Sequence, residues 1–203
     1  MTTTLIIIII TVIISITAFN NDKIINDLIF WPPQVKHKHQ YYRFITSGFI
    51  HADLAHLAFN MITFYFFGRV MEGFFEMKMG SMGFLLFYLG GIVVSEIPSY
   101  IRHQDNYHYR SLGASGGVTA VLFSFILLAP WQTLYVFFLP LPAIVFAVLY
   151  FFYTAYMSKR GGDYINHSAH LWGAIYGVVF TILVERGALE HFLRELMRPQ
   201  FNL

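Results

Sequence analysis

Two short polar motifs lie inside apolar stretches of the sequence, and their residue types are those of acyl-transfer chemistry. Ser115 is flanked by glycines in Gly113–Gly117, and no Lys, Arg, Asp or Glu occurs from Ser111 to Ser158. His170 lies in Ala169–Gly173, within a second uncharged run. Serine is a weak nucleophile until a base removes its proton, and histidine is the usual base. The two motifs predict a hydrolytic Ser–His dyad in surroundings that offer a hydroxyl no water.

His56 and Asn60 are the candidates for stabilising the oxyanion of such a reaction. Their i, i+4 spacing places them on one face of a helix, and acyl transfer needs donors aimed at the developing oxyanion. Ser115, near the start of its helix, adds free backbone N–H groups and the positive end of the helix dipole. Asp163 would lie about 10 Å from His170 along a continuous helix, too far for a hydrogen bond. The sequence therefore predicts a dyad rather than a triad.

The composition is that of a membrane protein. Hydrophobic residues make up 57% of the chain and charged residues 12%, and the mean hydropathy is +0.57, whereas soluble domains carry about 25% charged residues. A net charge of +2 without a basic patch argues against a nucleic-acid partner. The absence of cysteine excludes disulfides, thiolate catalysis and zinc–thiolate sites. The sequence predicts no metal and no cofactor.

Six apolar stretches are candidates for helices that cross a lipid bilayer, each of which needs about 20 mostly apolar residues. The prolines at 130, 140 and 142 divide the long uncharged block, since proline ends or kinks helices. Residues 20–50 are rich in aromatic residues and predict a loop at the lipid–water boundary. The fold class predicted is an all-α integral membrane protein, a six-helix bundle forming a single domain over residues 1–203. Its helices are expected at Thr3–Phe19, Leu54–Met71, Met79–Pro98, Gly113–Ala129, Pro142–Met157 and Tyr164–Val184.

The parity of six crossings places the four candidate residues at one side of the membrane. The second, fourth and sixth predicted helices all begin at the same face. At 1.5 Å per residue, the four side chains lie about 5–11 Å below that face. The sequence thus predicts that the four side chains lie at similar depths below one face of the membrane. They are His56, Asn60, Ser115 and His170.

In this order, the motifs resemble those of the rhomboid intramembrane serine proteases. The resemblance implies Ser115 as nucleophile and His170 as base, with His56, Asn60 and the Ser115 N–H as the oxyanion site. It also implies a rhomboid-like bundle of six transmembrane helices, with cytoplasmic termini and a site that opens to the extracytoplasmic side. The implied substrates are the transmembrane segments of single-span proteins in the lipid bilayer. The matching segments are Tyr42–Thr46, His51, His56–Asn60, Gly68 with Glu72, Ser111–Gly116, and Ala169–Gly173 with Gly177.

Small residues predict how the serine and histidine helices meet. Gly173 and Gly177 allow close backbone approach to Gly116 and Ala120 on the opposing helix. Two positions depart from the family pattern. Tyr42 stands where many members have tryptophan, and Thr119 stands where many carry an aromatic residue that stacks on the catalytic histidine. His170 is then either less firmly held or held by another group.

Other interpretations of these residues remain open at this point. Ser115, His170, His56 and Asn60 could serve only to pack and bond helices together. Gly113–Gly117 also fits the nucleophile elbow of α/β-hydrolases, although that motif needs a strand–turn–helix in a soluble fold. The non-enzymatic alternatives are an inactive rhomboid-like protein that binds or escorts membrane proteins and, less favoured, a transporter. Glu96 and His167 are assigned no role beyond solvation at the membrane boundary.

The charges in the loops favour the opposite orientation. Eight Lys and Arg residues lie on the face of the predicted site and five on the other, and the positive-inside rule would place the site in the cytoplasm. The resemblance is given more weight, because half of the eight lie in one long loop. The short chain without a transit peptide favours a bacterial inner membrane.

Overall fold

Helices dominate the computed structural model, which describes residues 1–136, 138–160 and 165–199. A 3₁₀ turn covers Ser47–Phe49, and a β-hairpin joins β1 (Thr133–Val136) to β2 (Leu139–Pro142). The helices are α1 (Thr3–Ala18), α2 (Asp22–Leu28), α3 (Pro32–Lys38), α4 (Arg43–Thr46), α5 (Leu54–Met79), α6 (Gly83–His103), α7 (Ser115–Leu128), α8 (Ala143–Arg160), α9 (His167–Val184) and α10 (Ala188–Leu196).

Each predicted apolar stretch corresponds to a helix, but some limits differ. The Asp53 carboxylate caps α5 by accepting the His56 N–H at 2.7 Å, and the helix runs past its predicted end to Gly80, whose φ is +81°. The prediction that the third helix ends at Pro98 was wrong, because α6 continues to His103. Proline removes only one donor, and buried residues precede and follow it on α6. Tyr164, the predicted start of the last helix, lies outside the described residues.

The loop predicted over residues 20–50 contains the short helices α2, α3 and α4 and the 3₁₀ turn. Arg43, beside Tyr42, is buried and holds this segment together through its guanidinium group. That group donates to the carbonyls of Asn26 at 2.8 Å and Ile29 at 2.7 Å, and to the Gln40 side chain at 2.7 Å.

The β-hairpin is an exception to the all-α prediction. Its two strands pair antiparallel, with Thr133 opposite Pro142 and Val136 opposite Leu139. Proline cannot donate to a β-ladder and is tolerated in edge strands, so Pro140 and Pro142 are compatible with this two-stranded ribbon. The prolines end α7 and precede α8, as expected from their positions.

Two described helices, α6 and α9, are long and apolar enough to cross a membrane by length and composition. The apolar helices α1 and α7 are shorter, with 16 and 14 residues. The count of six crossings therefore stays a prediction.

α7 and α9 run parallel and in register over three successive turns. A Cβ atom at Gly173 would overlap the carbonyl oxygen of Gly116, and one at Gly177 would overlap that of Ala120. One turn further, the hydroxyls of Ser124 and Thr181 bond to each other. The partners advance by four residues on both helices, so α7 and α9 start at the same end of the bundle. The aromatic core beside them is built on Phe64, Phe75, Phe84, Phe87 and Tyr88 from α5 and α6.

Candidate active site

Ser115 is the first residue of α7, and its position is set by the loop before it. Gly113 has φ of +116°, a left-handed conformation that favours glycine, and its N–H donates to the Ser47 carbonyl at 2.9 Å. Ala114 is fully buried and its carbonyl accepts the Val118 N–H. The N–H groups of the first turn, beginning with Ser115, have no acceptor within the helix. The half-buried hydroxyl therefore sits beside donors and a positive dipole end.

His56 on α5 packs directly against this loop. A Cβ at Gly113 would lie only 2.7 Å from the His56 Cε1 atom and 2.9 Å from Nε2. The ring also meets that of His51 edge to face, with centroids 4.9 Å apart. The absence of a side chain at Gly113 is thus what allows the His56 ring to pack against the backbone two residues before Ser115.

His51 links α1 to the same loop through both ring nitrogens. The Ser15 hydroxyl donates its single proton to the Phe49 carbonyl at 2.9 Å, so His51 Nδ1 must donate to Ser15 across their 2.9 Å contact. Nε2 is then the acceptor for the Ala114 N–H at 3.4 Å. Burial, helped by the nearby His56, lowers the pKa of His51 to about 3. The neutral ring required by these bonds is therefore the favoured form.

Asn60 lies one turn along α5 from His56 and is buried. Its Nδ2 donates one proton to the His56 carbonyl at 2.9 Å. An amide nitrogen carries two protons, which allows a second bond from the same atom. Both candidate oxyanion donors thus occupy one face of α5.

His170 lies in the first turn of α9, and an aromatic residue from α8 covers its ring. Tyr150 stacks on His170 with centroids 6.2 Å apart and an interplanar angle of 19°, within the range of favourable aromatic pairs. The Tyr150 hydroxyl bonds to that of Thr119 at 3.3 Å. The aromatic group that Thr119 does not provide comes from α8, and Thr119 helps to hold it.

These side chains surround one cavity of about 1140 Å³. A catalytic serine, a base and donors on three helices can act on one substrate only if they share such a space. The cavity wall includes His56, Asn60, Ser115, Thr119, Tyr150 and His170. The cavity therefore brings together the residue types that acyl transfer needs.

Three contributions were not predicted from the sequence. Tyr150 lies in an uncharged aromatic run in which nothing distinguishes it. Glu96 and His167 were assigned to solvation at the membrane boundary, and this was wrong, because their exposed fractions are 6% and 4%. Buried charged groups need partners, so the burial of Glu96 implies a bonded role. Asp163 lies outside the described residues.

A cavity lined by polar side chains within an apolar helical bundle is typical of a membrane-embedded protein, and the comparisons with known proteins name the family. The Rhomboid domain family matches residues 38–187. The chain belongs to the rhomboid family, whose members are embedded in membranes.

Relatives come from organelles and from a bacterium. The chain is 31% identical over 159 residues to the RHOMBOID-like protein 12, mitochondrial, of Arabidopsis thaliana, covering 70% of this chain and 46% of that protein. It is 30% identical over 150 residues to the human Presenilin-associated rhomboid-like protein, mitochondrial, covering 68% and 36%. YdcA of Bacillus subtilis, named as a candidate rhomboid protease, is 28% identical over 152 residues, covering 71% and 67%. The chain thus spans less than half of the two mitochondrial relatives.

Proposed function

We propose that this chain is an intramembrane serine endopeptidase that cleaves transmembrane segments of single-span membrane proteins. The observation that carries the proposal is the shared cavity of Ser115 and His170, whose helices are in backbone contact at the adjacent Gly116 and Gly173. That contact supports a placement of the serine and the histidine within about 3 Å of each other along the helix axes, since they precede the contact by one and three residues. Membership of the rhomboid family supports the same activity.

The reaction follows from the roles that these groups can take. His170 removes the proton from the Ser115 hydroxyl as Oγ attacks the scissile carbonyl carbon. The Ser115 N–H, His56 and Asn60 donate to the resulting oxyanion. His170 then returns its proton to the leaving amine, which leaves an acyl-enzyme. Water, deprotonated by His170, attacks the ester carbonyl. The bond to Ser115 Oγ then breaks as His170 returns the proton to that oxygen, which releases the carboxylic acid product and regenerates both residues. No step calls for a metal ion or a cofactor.

We extend the proposal to the surroundings of the enzyme. The site opens to the extracytoplasmic side, six helices cross the bilayer and the termini are cytoplasmic. A reporter fused after Leu203 tests this orientation, since an extracytoplasmic reporter would reverse it. Mitochondrial, chloroplastic and bacterial relatives all occur, and the bacterial inner membrane remains our prediction for this chain.

The test is incubation of purified protein with a single-span test substrate in detergent or liposomes. The wild type should produce two fragments, whereas Ser115→Ala and His170→Ala should produce none while remaining folded. Cleavage by Ser115→Ala would exclude the serine mechanism. A folded wild type that binds the substrate without cutting it would favour the alternative function, an inactive rhomboid-like protein that binds or escorts membrane proteins.

A further inference from the structure

The carboxylate of Glu96 on α6 is buried between the segments that lead into α7 and α9. It accepts a hydrogen bond from the Ser111 hydroxyl at 3.0 Å. It also accepts from the Asn166 side-chain nitrogen, at 3.3 Å through one oxygen and 3.2 Å through the other. One side chain of α6 is therefore bonded to two segments that are 55 residues apart in the sequence.

The orientation of the Asn166 amide is fixed by its role as the N-cap of α9. Its Oδ1 accepts the Ala169 N–H at 3.1 Å. A backbone N–H can only donate, so the oxygen must face Ala169 and the nitrogen must face Glu96. Ser99, nearly one turn along α6, accepts a further bond from that nitrogen at 3.2 Å. The Ser111 hydroxyl and the Asn166 amide nitrogen thus both donate to the Glu96 carboxylate, which accepts.

Both bonded segments lie four residues before a residue of the proposed dyad. Ser111 precedes Ser115 by four residues, and its backbone pairs with Phe30 through bonds of 3.0 and 3.1 Å. Asn166 precedes His170 by four residues, and its carbonyl accepts the His170 N–H at 3.3 Å. A shift of either segment relative to Glu96 would move the nucleophile or the base.

We infer that Glu96 is a positioning residue for the dyad. Through Ser111 and Asn166, Glu96 holds the starts of α7 and α9 at a fixed separation. These bonds lie N-terminal to the glycine contacts on both helices. The inference rests on the proposed protease activity. It assigns to Glu96 no contact with substrate.

The experiment exchanges the donor and the acceptor of the hydrogen bond between Asn166 and Glu96. Asn166→Asp keeps a side chain that caps α9 but sets two carboxylates against each other. Glu96→Gln is nearly isosteric and replaces one acceptor oxygen by an amide donor. In the double variant, the amide introduced on α6 can donate to the carboxylate introduced at the start of α9, which restores the bond with reversed polarity. Because the two residues are in contact, their effects should be strongly non-additive.

The readouts are the rate at which a small fluorophosphonate labels Ser115 and the kcat of substrate cleavage, both measured well below the Tm of each variant. Each single variant should lose about 10- to 100-fold in both rates, as expected for a displacement of up to an ångström. The double variant should recover most of this loss. Ser111→Ala, which removes one donor and adds no charge, should show a smaller loss in the same direction.

The matched control is Glu72→Gln on α5. Glu72 is as buried as Glu96, with 6% exposed in each case, and it accepts the N–H groups of Thr3 and Thr4 at the start of α1. This variant should lower Tm and leave the labelling rate of the folded protein unchanged. A rescue of activity by Glu96→Gln/Asn166→Asp, with no comparable effect of Glu72→Gln, separates positioning from general stabilisation.

The outcomes distinguish this inference from the function on which it rests. Wild-type labelling rates in Glu96→Gln and Ser111→Ala would overturn the positioning role and leave the protease proposal intact. A double variant no faster than Asn166→Asp would overturn it too. A folded wild type that is neither labelled nor active would overturn the proposed function, and the positioning role with it.

Discussion

α9 contacts α7 and α8 in different ways. At two successive turns its backbone packs directly on that of α7, because Gly173 and Gly177 lie against backbone carbonyls. Against α8 it presents the His170 ring to the ring of Tyr150. Most residues of α7 are buried, whereas on α8 only Ala143, Ala147 and Thr154 are. The first contact leaves no room for a side chain and would set the separation of the proposed dyad, while the second, on a less buried helix, would set the orientation of the proposed base.

The largest loss of rate should come from the proposed oxyanion donors, which belong to neither the α7–α9 contact nor the α8–α9 contact. Asn60→Ala should lower kcat by about 10²–10³-fold, the usual cost of removing an oxyanion donor, and His56→Ala should behave similarly. Tm should change little by comparison with the loss of rate. Kinetics of purified variants with a single-span substrate measure this. Wild-type rates in both would show that these residues serve only to join helices.

The contact between α7 and α9 is broken by adding bulk at its glycines. Gly173→Leu should lower the rate by about 10²-fold, because the helices must separate by an ångström or more, and Tm in detergent should fall with it. Gly73→Leu on α5 is the matched control, since a Cβ at Gly73 would meet nothing within 4 Å. Leu171→Ala, on the histidine helix itself, is a second control. If Gly173→Leu kept the rate and Tm of Gly73→Leu, the account of this contact would be wrong.

Substitutions in the contact between α8 and α9 should lower the rate less than Gly173→Leu does. Tyr150→Leu removes the ring above His170 and should lower the rate by about tenfold, which corresponds to about 1.4 kcal/mol and to the energy of an aromatic pair. Tyr150→Phe keeps the ring, loses the bond to Thr119 and should retain most activity. Comparison of the two kcat values tests the stacking role. A loss in Tyr150→Phe equal to that in Tyr150→Leu would assign the effect to the hydroxyl instead.

The smallest effect on the rate concerns the link from α1 to the loop before Ser115, whose contribution should show in stability instead. His51 has a pKa lowered from 6.5 to about 3 in the folded protein, so the unfolded chain binds more protons between these values. Its contribution to stability is complete above about pH 6.5 and is lost as the pH falls towards 3. Free energies of unfolding measured from pH 7 to 4 should therefore decrease more steeply in the wild type than in His51→Asn. Parallel curves would show that His51 is not held neutral by the fold.

The difference between the two contacts also explains what could be predicted from the sequence. Small residues at four-residue spacing in an apolar run indicate close helix packing. The sequence therefore predicted the approach of Gly173 and Gly177 to Gly116 and Ala120, which the structure places in backbone contact. Tyr150 is one aromatic residue among many on α8, and its partner is 20 residues away. Glu96 and Asn166 meet only because α6 and α9 pack together. Such a contact depends on tertiary geometry, which neither periodicity nor composition specifies.

Labelling of Ser115 by a fluorophosphonate tests the central claim most directly, that α7 and α9 hold a nucleophile and its base at one site. Mass spectrometry of the digested wild type should find the adduct on Ser115. His170→Ala should be labelled about 10²–10⁴-fold more slowly, the usual contribution of a general base, at unchanged Tm. An adduct at another residue, or equal labelling of Ser115 in the two proteins, would contradict the dyad.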